Sequence, residues 1–128
     1  MDKEKISMRK SAFLCVLVFC AVLSLGKLQA ESKYELQVRA VAYCLKGHTA
    51  SGTHPEKGTI AVDPKIIPLG SKIYVPGYGW GKALDCGGGI KGRIIDIWYP
   101  SYQDCINWGS RKLAIIIVPP PGKTLKIK

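Results

Sequence analysis

Between residues 34 and 43 the chain reads YELQVRAVAY, with Leu36, Val38 and Ala40 on one parity and Glu35 and Arg39 on the other. A period of two is that of a half-buried strand. The pattern recurs in short pieces. Residues 59–62 form a short strand that runs into Asp63-Pro64, residues 72–75 form another, and residues 82–84 lead into Asp85. Residues 93–98 predict a strand with Asp96 inside it, and residues 111–118 a last buried strand stopped by Pro119-Pro120-Pro121. Turn residues separate these runs: a long loop over 46–58, Pro68-Leu69-Gly70, and a turn over 76–79. One helix breaks the series. Ser101 is a suitable N-cap with Asp104 three residues on, Cys105, Ile106 and Trp108 supply an apolar face, and Gly109 ends it. The run Gly87-Gly88-Gly89 predicts backbone that passes close to a neighbour or takes positive φ. Short strands plus one small helix predict an all-β domain. A small closed barrel is the favoured form, although strand spacing alone does not choose among barrel, sandwich and open sheet.

Upstream of these strands the pattern changes. Lys3, Lys5, Arg9 and Lys10 precede an uncharged apolar run over residues 11–26. A positive segment followed by an apolar run of that length predicts a signal peptide over 1–30, cut after Ala30, or an uncleaved N-terminal anchor. The product is expected outside the cytoplasm, secreted or wall-associated, with membrane contact only through this segment. A barrel domain over 31–118 and a basic tail over 119–128, opened by the prolines and mobile from Gly122 on, complete the organisation.

The chain carries 19 Lys and Arg against 9 Asp and Glu, a net charge of +10. Beyond residue 30 the balance is 14 against 7, or +7. Such a charge suits attraction to anionic wall polymers, and equally a solvated surface. Scattered basic residues without interleaved aromatics argue against nucleic acid. Cys44, Cys86 and Cys105 lie beyond the export segment. One disulfide with one free thiol and three free thiols both remain open. No spacing among Cys44, His48 and Cys86 supports a metal site, and no cofactor is expected.

The domain holds four aspartates. Asp104 belongs to a helix start, where the dipole favours it. Asp63, Asp85 and Asp96 each sit at or within an apolar run. Carboxylates buried in that way are costly unless paired, hydrogen-bonded or functional, so their convergence on one cleft is expected.

The sequence resembles the 3D domain, named for three aspartates and found in bacterial wall-remodelling proteins and in the A-type membrane-bound lytic transglycosylases. The resemblance rests on TASG at 49–52, AVDPKIIPLGSKIYVPGYG at 61–79, ALDCGGGIKGRIIDIWYP at 83–100 and DCINWGSRKLAIII at 104–117. The aspartate spacings of 22 and 11 residues agree with it. It implies a six-stranded double-psi β-barrel. It also implies cleavage of peptidoglycan glycan strands between N-acetylmuramic acid and N-acetylglucosamine, leaving a 1,6-anhydro sugar. A single carboxyl can serve there as acid and then as base, provided its pKa is raised. Asp96, flanked by Ile and Trp, is the expected acid, with Asp85 and Asp63 as supports. Thr49, Ser51, Gly87, Gly88, Lys91 and Tyr43 are the expected glycan contacts, with Tyr78, Trp80 and Trp98 as further stacking candidates. Cys86 and Gly89 stand where the family usually has Thr and Ala, and Cys86 could pair with Cys105. The rival readings are a non-catalytic polysaccharide binder of the expansin type, a β-glucan hydrolase, and a structural or inhibitory secreted domain.

Overall fold

The computed structural model describes residues 31–127. The expected export segment over 1–30 lies outside them. The element order is β1 (Tyr34–Tyr43), β2 (Thr59–Ala61), β3 (Lys72–Val75), β4 (Gly79–Asp85), β5 (Ile94–Trp98), α1 (Tyr102–Trp108) and β6 (Arg111–Val118). The strands close into a barrel in the order β1-β5-β2-β4-β3-β6. Closure leaves no unpaired edge in a domain this small. Two neighbouring pairs are parallel, β1 with β5 and β2 with β4, and the other four are antiparallel. This is the six-stranded double-psi β-barrel with one short helix.

β1 does the most pairing. Its first seven residues pair with β6 and its last five with β5. Leu36, Val38 and Ala40 point into the barrel as their parity predicts. Ile60, Ile73, Ile95, Ile97, Ile115 and Ile117 are wholly buried beside them. β-Branched side chains suit the strand backbone and fill a barrel of this width without polar atoms.

α1 lies over β1. The Ser101 hydroxyl accepts from Asp104 N at 3.1 Å, and Gly109 closes the far end at φ 67°. Trp108 is buried, and its indole N–H donates to Ala40 O at 3.0 Å. Ile106, expected on the apolar face, is instead 53% exposed, because only Trp108 turns fully toward the strand.

Two departures from the sequence reading concern glycine. The run at 87–89 has no positive φ, and a side chain would meet open space at Gly88 and Gly89. Gly81 is the position that needs glycine, and it falls inside a strand rather than a turn. A Cβ there would sit 2.5 Å from Gly58 O and 2.7 Å from Ile60 Cδ1. Gly81→Ala must push β2 and its preceding loop away from β4. We expect a loss of about 3 kcal/mol in urea unfolding, at the upper end for overpacking because backbone is the obstacle.

The tail, expected to be mobile from Gly122 on, touches the barrel near its end. Lys126 N donates to Ile66 O at 3.2 Å, and Leu125 packs on the core.

Candidate functional site

A bulge places the two central aspartates. β2 and β4 run in register from Thr59↔Lys82 to Ile60↔Ala83, then jump to Ala61↔Asp85. Leu84 is the extra residue. Such an insertion re-aims the side chains that follow it. On its other side Ala61 is opposite Asp96 of β5. Asp85 and Asp96 therefore flank Ala61 on the two neighbouring strands, with backbones about 10 Å apart from two strand spacings.

Three donors converge on the Asp85 carboxylate. Its Oδ1 accepts from Ala50 N at 3.0 Å and from Cys86 N at 2.9 Å, and its Oδ2 accepts from Tyr43 Oη at 3.1 Å. The 49–52 loop is tied to the same strand end by Ser51 N to Leu84 O at 3.1 Å. Tyr43 belongs to the site for this reason. Burial and the negative charge of Asp85 push its phenol far above the usual range, so it stays a neutral donor.

Asp96 is the opposite case. Ile95 and Ile97 point into the barrel, so Asp96 points out of it, between Val41 and Ala61 on the flanking strands. The sequence reading placed it among its own isoleucines; alternation puts Ile95 and Ile97 on the other face and leaves only Ile94 and Trp98 on its own. Asp96 is half-buried, and its Oδ1 is inaccessible to solvent with no hydrogen-bond partner among the described residues. Burial, and then the charge of Asp85, raise its carboxyl to about 6. A carboxyl in that state is a proton donor near neutral pH.

Asp63 follows Val62, whose N–H donates to Asp85 O at 3.0 Å, and its carboxylate is held by backbone donors. Lys65 N donates to its Oδ1 at 3.0 Å and Gly92 N to its Oδ2 at 2.9 Å, while Ile66 N and Ile67 N reach its backbone oxygen. Both carboxylate oxygens are thus engaged in closing the 63–67 turn and tying down the 87–92 loop. The Gly92 and Lys65 amides, with Lys91 nearby, hold its carboxyl below the usual range. The like charge that acts on Asp96 comes from Asp85 alone. We expect Asp63→Ala to lower Tm by about 5 °C or more through two orphaned amides. The sign of the pH dependence follows from the depressed pKa. The stability that Asp63 contributes is present above the unfolded value and is lost as pH falls through the folded one. The wild-type and alanine melting curves should therefore approach one another as pH falls below the ordinary carboxylate range.

The other expected contacts divide. Thr49 is buried, and its hydroxyl is taken up by Thr53 Oγ1 at 2.8 Å and Thr53 N at 3.2 Å. These bonds shape the loop that presents the Ala50 amide to Asp85. Ser51, Gly88 and Lys91 are exposed and Gly87 partly so, around the same end of the barrel. Tyr78 is committed to structure, since its hydroxyl donates to Trp98 O at 2.8 Å and accepts from Gly58 N at 2.7 Å. Trp98 donates its indole N–H to Leu45 O at 3.0 Å. Cys86 does not pair with Cys105. All three cysteines are free thiols, Cys86 is exposed, and the neighbour of Cys105 is Cys44. Ala50 N, Cys86 N and Gly92 N were missed as site groups. The Asp-Pro-Lys turn signals the Lys65 contact, but nothing local signals backbone donors from distant loops.

Comparison with known proteins agrees with the family resemblance. YocH of Bacillus subtilis (strain 168), described as a cell wall-binding protein, is 44% identical over 97 residues, covering 69% of this chain and 34% of that protein. The chain thus spans about a third of the length of that relative. Among solved structures, the Streptomyces papain inhibitor aligns with TM-score 0.48 at 14% identity, over 66% of this chain and 94% of the inhibitor. MltA from E. coli aligns with TM-score 0.44 at 25% identity, over 58% of this chain and 27% of MltA. The sequence model of the 3D domain matches residues 58–119, which take in Asp63, Asp85 and Asp96. The chain carries a 3D domain over these residues.

Proposed function

We propose that this domain acts at the bacterial cell wall as a lytic transglycosylase, cleaving glycan strands with Asp96 as the single acid and base. The observation that carries the reading is the contrast between two carboxyls facing one surface. Asp85 accepts from three donors, whereas Asp96 is raised to about 6 and carries an unpartnered oxygen.

In the proposed reaction the Asp96 carboxyl protonates the oxygen linking N-acetylmuramic acid to N-acetylglucosamine, and the bond from C1 to that oxygen breaks. The N-acetylglucosamine side leaves with the proton as an alcohol. Positive charge develops on the muramyl ring, and the fixed Asp85 carboxylate stabilises it without reorganisation. Asp96, now a carboxylate, removes the proton from the C6 hydroxyl of the same ring. O6 closes on C1, and Asp96 is restored as the acid. No water is consumed, which separates this course from two-carboxylate hydrolysis. Asp63 acts as a positioning residue through the 87–92 loop. Ser51, Gly87, Gly88 and Lys91 are the remaining candidates to meet the glycan.

The second reading is wall polysaccharide binding without cleavage, favoured by the description of YocH. Mass spectrometry of sacculi digested by the protein decides between them. Cleavage by this course gives muropeptides about one water lighter than hydrolysis products. Intact sacculi retaining bound protein would favour the binding reading, and hydrated ends a hydrolase.

A further inference from the structure

Away from the aspartates, β4 carries a second surface. Trp80 is 58% exposed, unusual for so large a side chain in a paired strand. It stands directly opposite Tyr74 of β3, with ring centroids 5.4 Å apart. Beside Trp80 lies an open groove of about 400 Å³, whose lining includes Lys57, Lys72, Lys82 and Leu84. Lys72 and Lys82 are direct cross-strand partners. Two like charges placed opposite one another cost stability, so the fold gives no reason for the pair. Glu31 approaches Lys72 only at 4.0 Å, with both side chains more than half exposed, which compensates little. Glu56 is the one acidic residue lining the groove.

The groove leads to the candidate site. Trp80, Lys82 and Leu84 alternate along β4, and Leu84 is the bulge residue that precedes Asp85. Five residues of strand separate Trp80 from Asp85, about 17 Å. A flat indole offers a stacking face to the apolar side of a sugar ring, and ammonium groups suit acidic substituents.

We propose that the Trp80–Tyr74 platform and its lysines form a distal subsite for an acidic glycan strand that extends along β4 from the Asp85–Asp96 cleft. The ligand class is a sugar polymer bearing carboxylates, such as the peptide stems of peptidoglycan. The choice of glycan rests on the preceding functional reading, but the test does not need cleavage. It uses Asp96→Asn protein throughout, so that only binding is read. The probes are purified glycan strands of more than ten sugars that keep their peptide stems, and fragments of two to four sugars from the same source.

Trp80→Ala in the Asp96→Asn background should weaken binding of the long strands about tenfold and leave the short fragments unchanged. Lys82→Glu should weaken the long strands as well, with a smaller salt dependence, since one attraction to carboxylates is lost. Because Trp80 and Lys82 are exposed, both variants should melt within a few degrees of the parent. Equal affinity of parent and both variants for long strands would overturn the proposal. So would a loss that is the same for short and long glycans, which would place Trp80 in the cleft. If no strand of any length bound the parent, the distal subsite would fail with it. Sacculus cleavage by the wild-type protein would then still stand or fall by the mass of its products.

Discussion

Asp96→Asn is expected to reduce glycan cleavage by about 10³- to 10⁴-fold, measured as anhydro-muropeptides released from sacculi. The magnitude is the upper part of the range for a general acid–base group, because one residue supplies both proton transfers. An amide of the same shape can neither give nor take the proton. The substitution should not unfold the barrel. Asp96 lies on the outer face, while the core is made by Ile95, Ile97 and their neighbours. Stability should move the other way at neutral pH. The folded carboxyl is raised to about 6, above the unfolded value of about 3.9. Between these values the native state holds a proton that the unfolded chain has released, so stability falls as pH rises through the window. Above about pH 7 the wild type bears the full penalty of a half-buried charge, and the Asn variant does not. Allowing for the solvent that reaches this carboxyl, the gain is about 1 kcal/mol, or about 5 °C in Tm. It should vanish near pH 4. Loss of cleavage with a raised neutral-pH Tm would mark Asp96 as a functional residue maintained against stability. Full cleavage by the Asn variant would end the transglycosylase reading.

The same residue shows where a sequence can and cannot be read. Alternation in YELQVRAVAY identifies the inner face of β1, because only one face of that segment is buried. IIDIW is harder, since Ile94 and Trp98 share a parity with Asp96 while Ile95 and Ile97 fill the core. Apolar residues on both faces hide which way Asp96 points. Its raised carboxyl was foreseeable from apolar surroundings, but those surroundings are Val41 and Ala61 on other strands, not its own sequence neighbours. Asp85 is less legible still. Its direction depends on Leu84 bulging opposite Ala61, which is a property of a strand pair. Asp63 resembled its two companions in composition and differs in role. Its partners include Gly92, 29 residues away, a donor that no local pattern announces. The glycines invert expectation for a similar reason. A triplet stands out in sequence yet two of its members, Gly88 and Gly89, face open space, whereas Gly81 is demanded by the approach of Gly58 and Ile60 from across the sheet.

Asp85→Asn is expected to move the pH limit of cleavage downward. In the wild type the rate at saturating glycan should fall as pH rises through about 6, as Asp96 loses the proton it must donate. Burial is the first cause of that raised value and the Asp85 charge the second. Removing the charge leaves burial, so the midpoint should drop by on the order of one unit or less and stay above about 4. Asparagine can keep the local structure. Its amide oxygen can accept from Ala50 N and Cys86 N as Asp85 Oδ1 does, and its amide nitrogen can donate to the Tyr43 hydroxyl in place of the present bond. Two effects then separate by pH. At pH 5, where Asp96 is still at least about half protonated in both proteins, the deficit beyond about twofold measures the lost stabilisation of the cationic transition state, about 10²-fold by analogy with other preorganised electrostatic groups. At pH 7 the deficit should widen, by up to about tenfold for a full-unit shift, because the variant holds less of its acid form. A midpoint that does not move would mean that Asp85 does not act on Asp96, and the division of labour between the two carboxyls would fail.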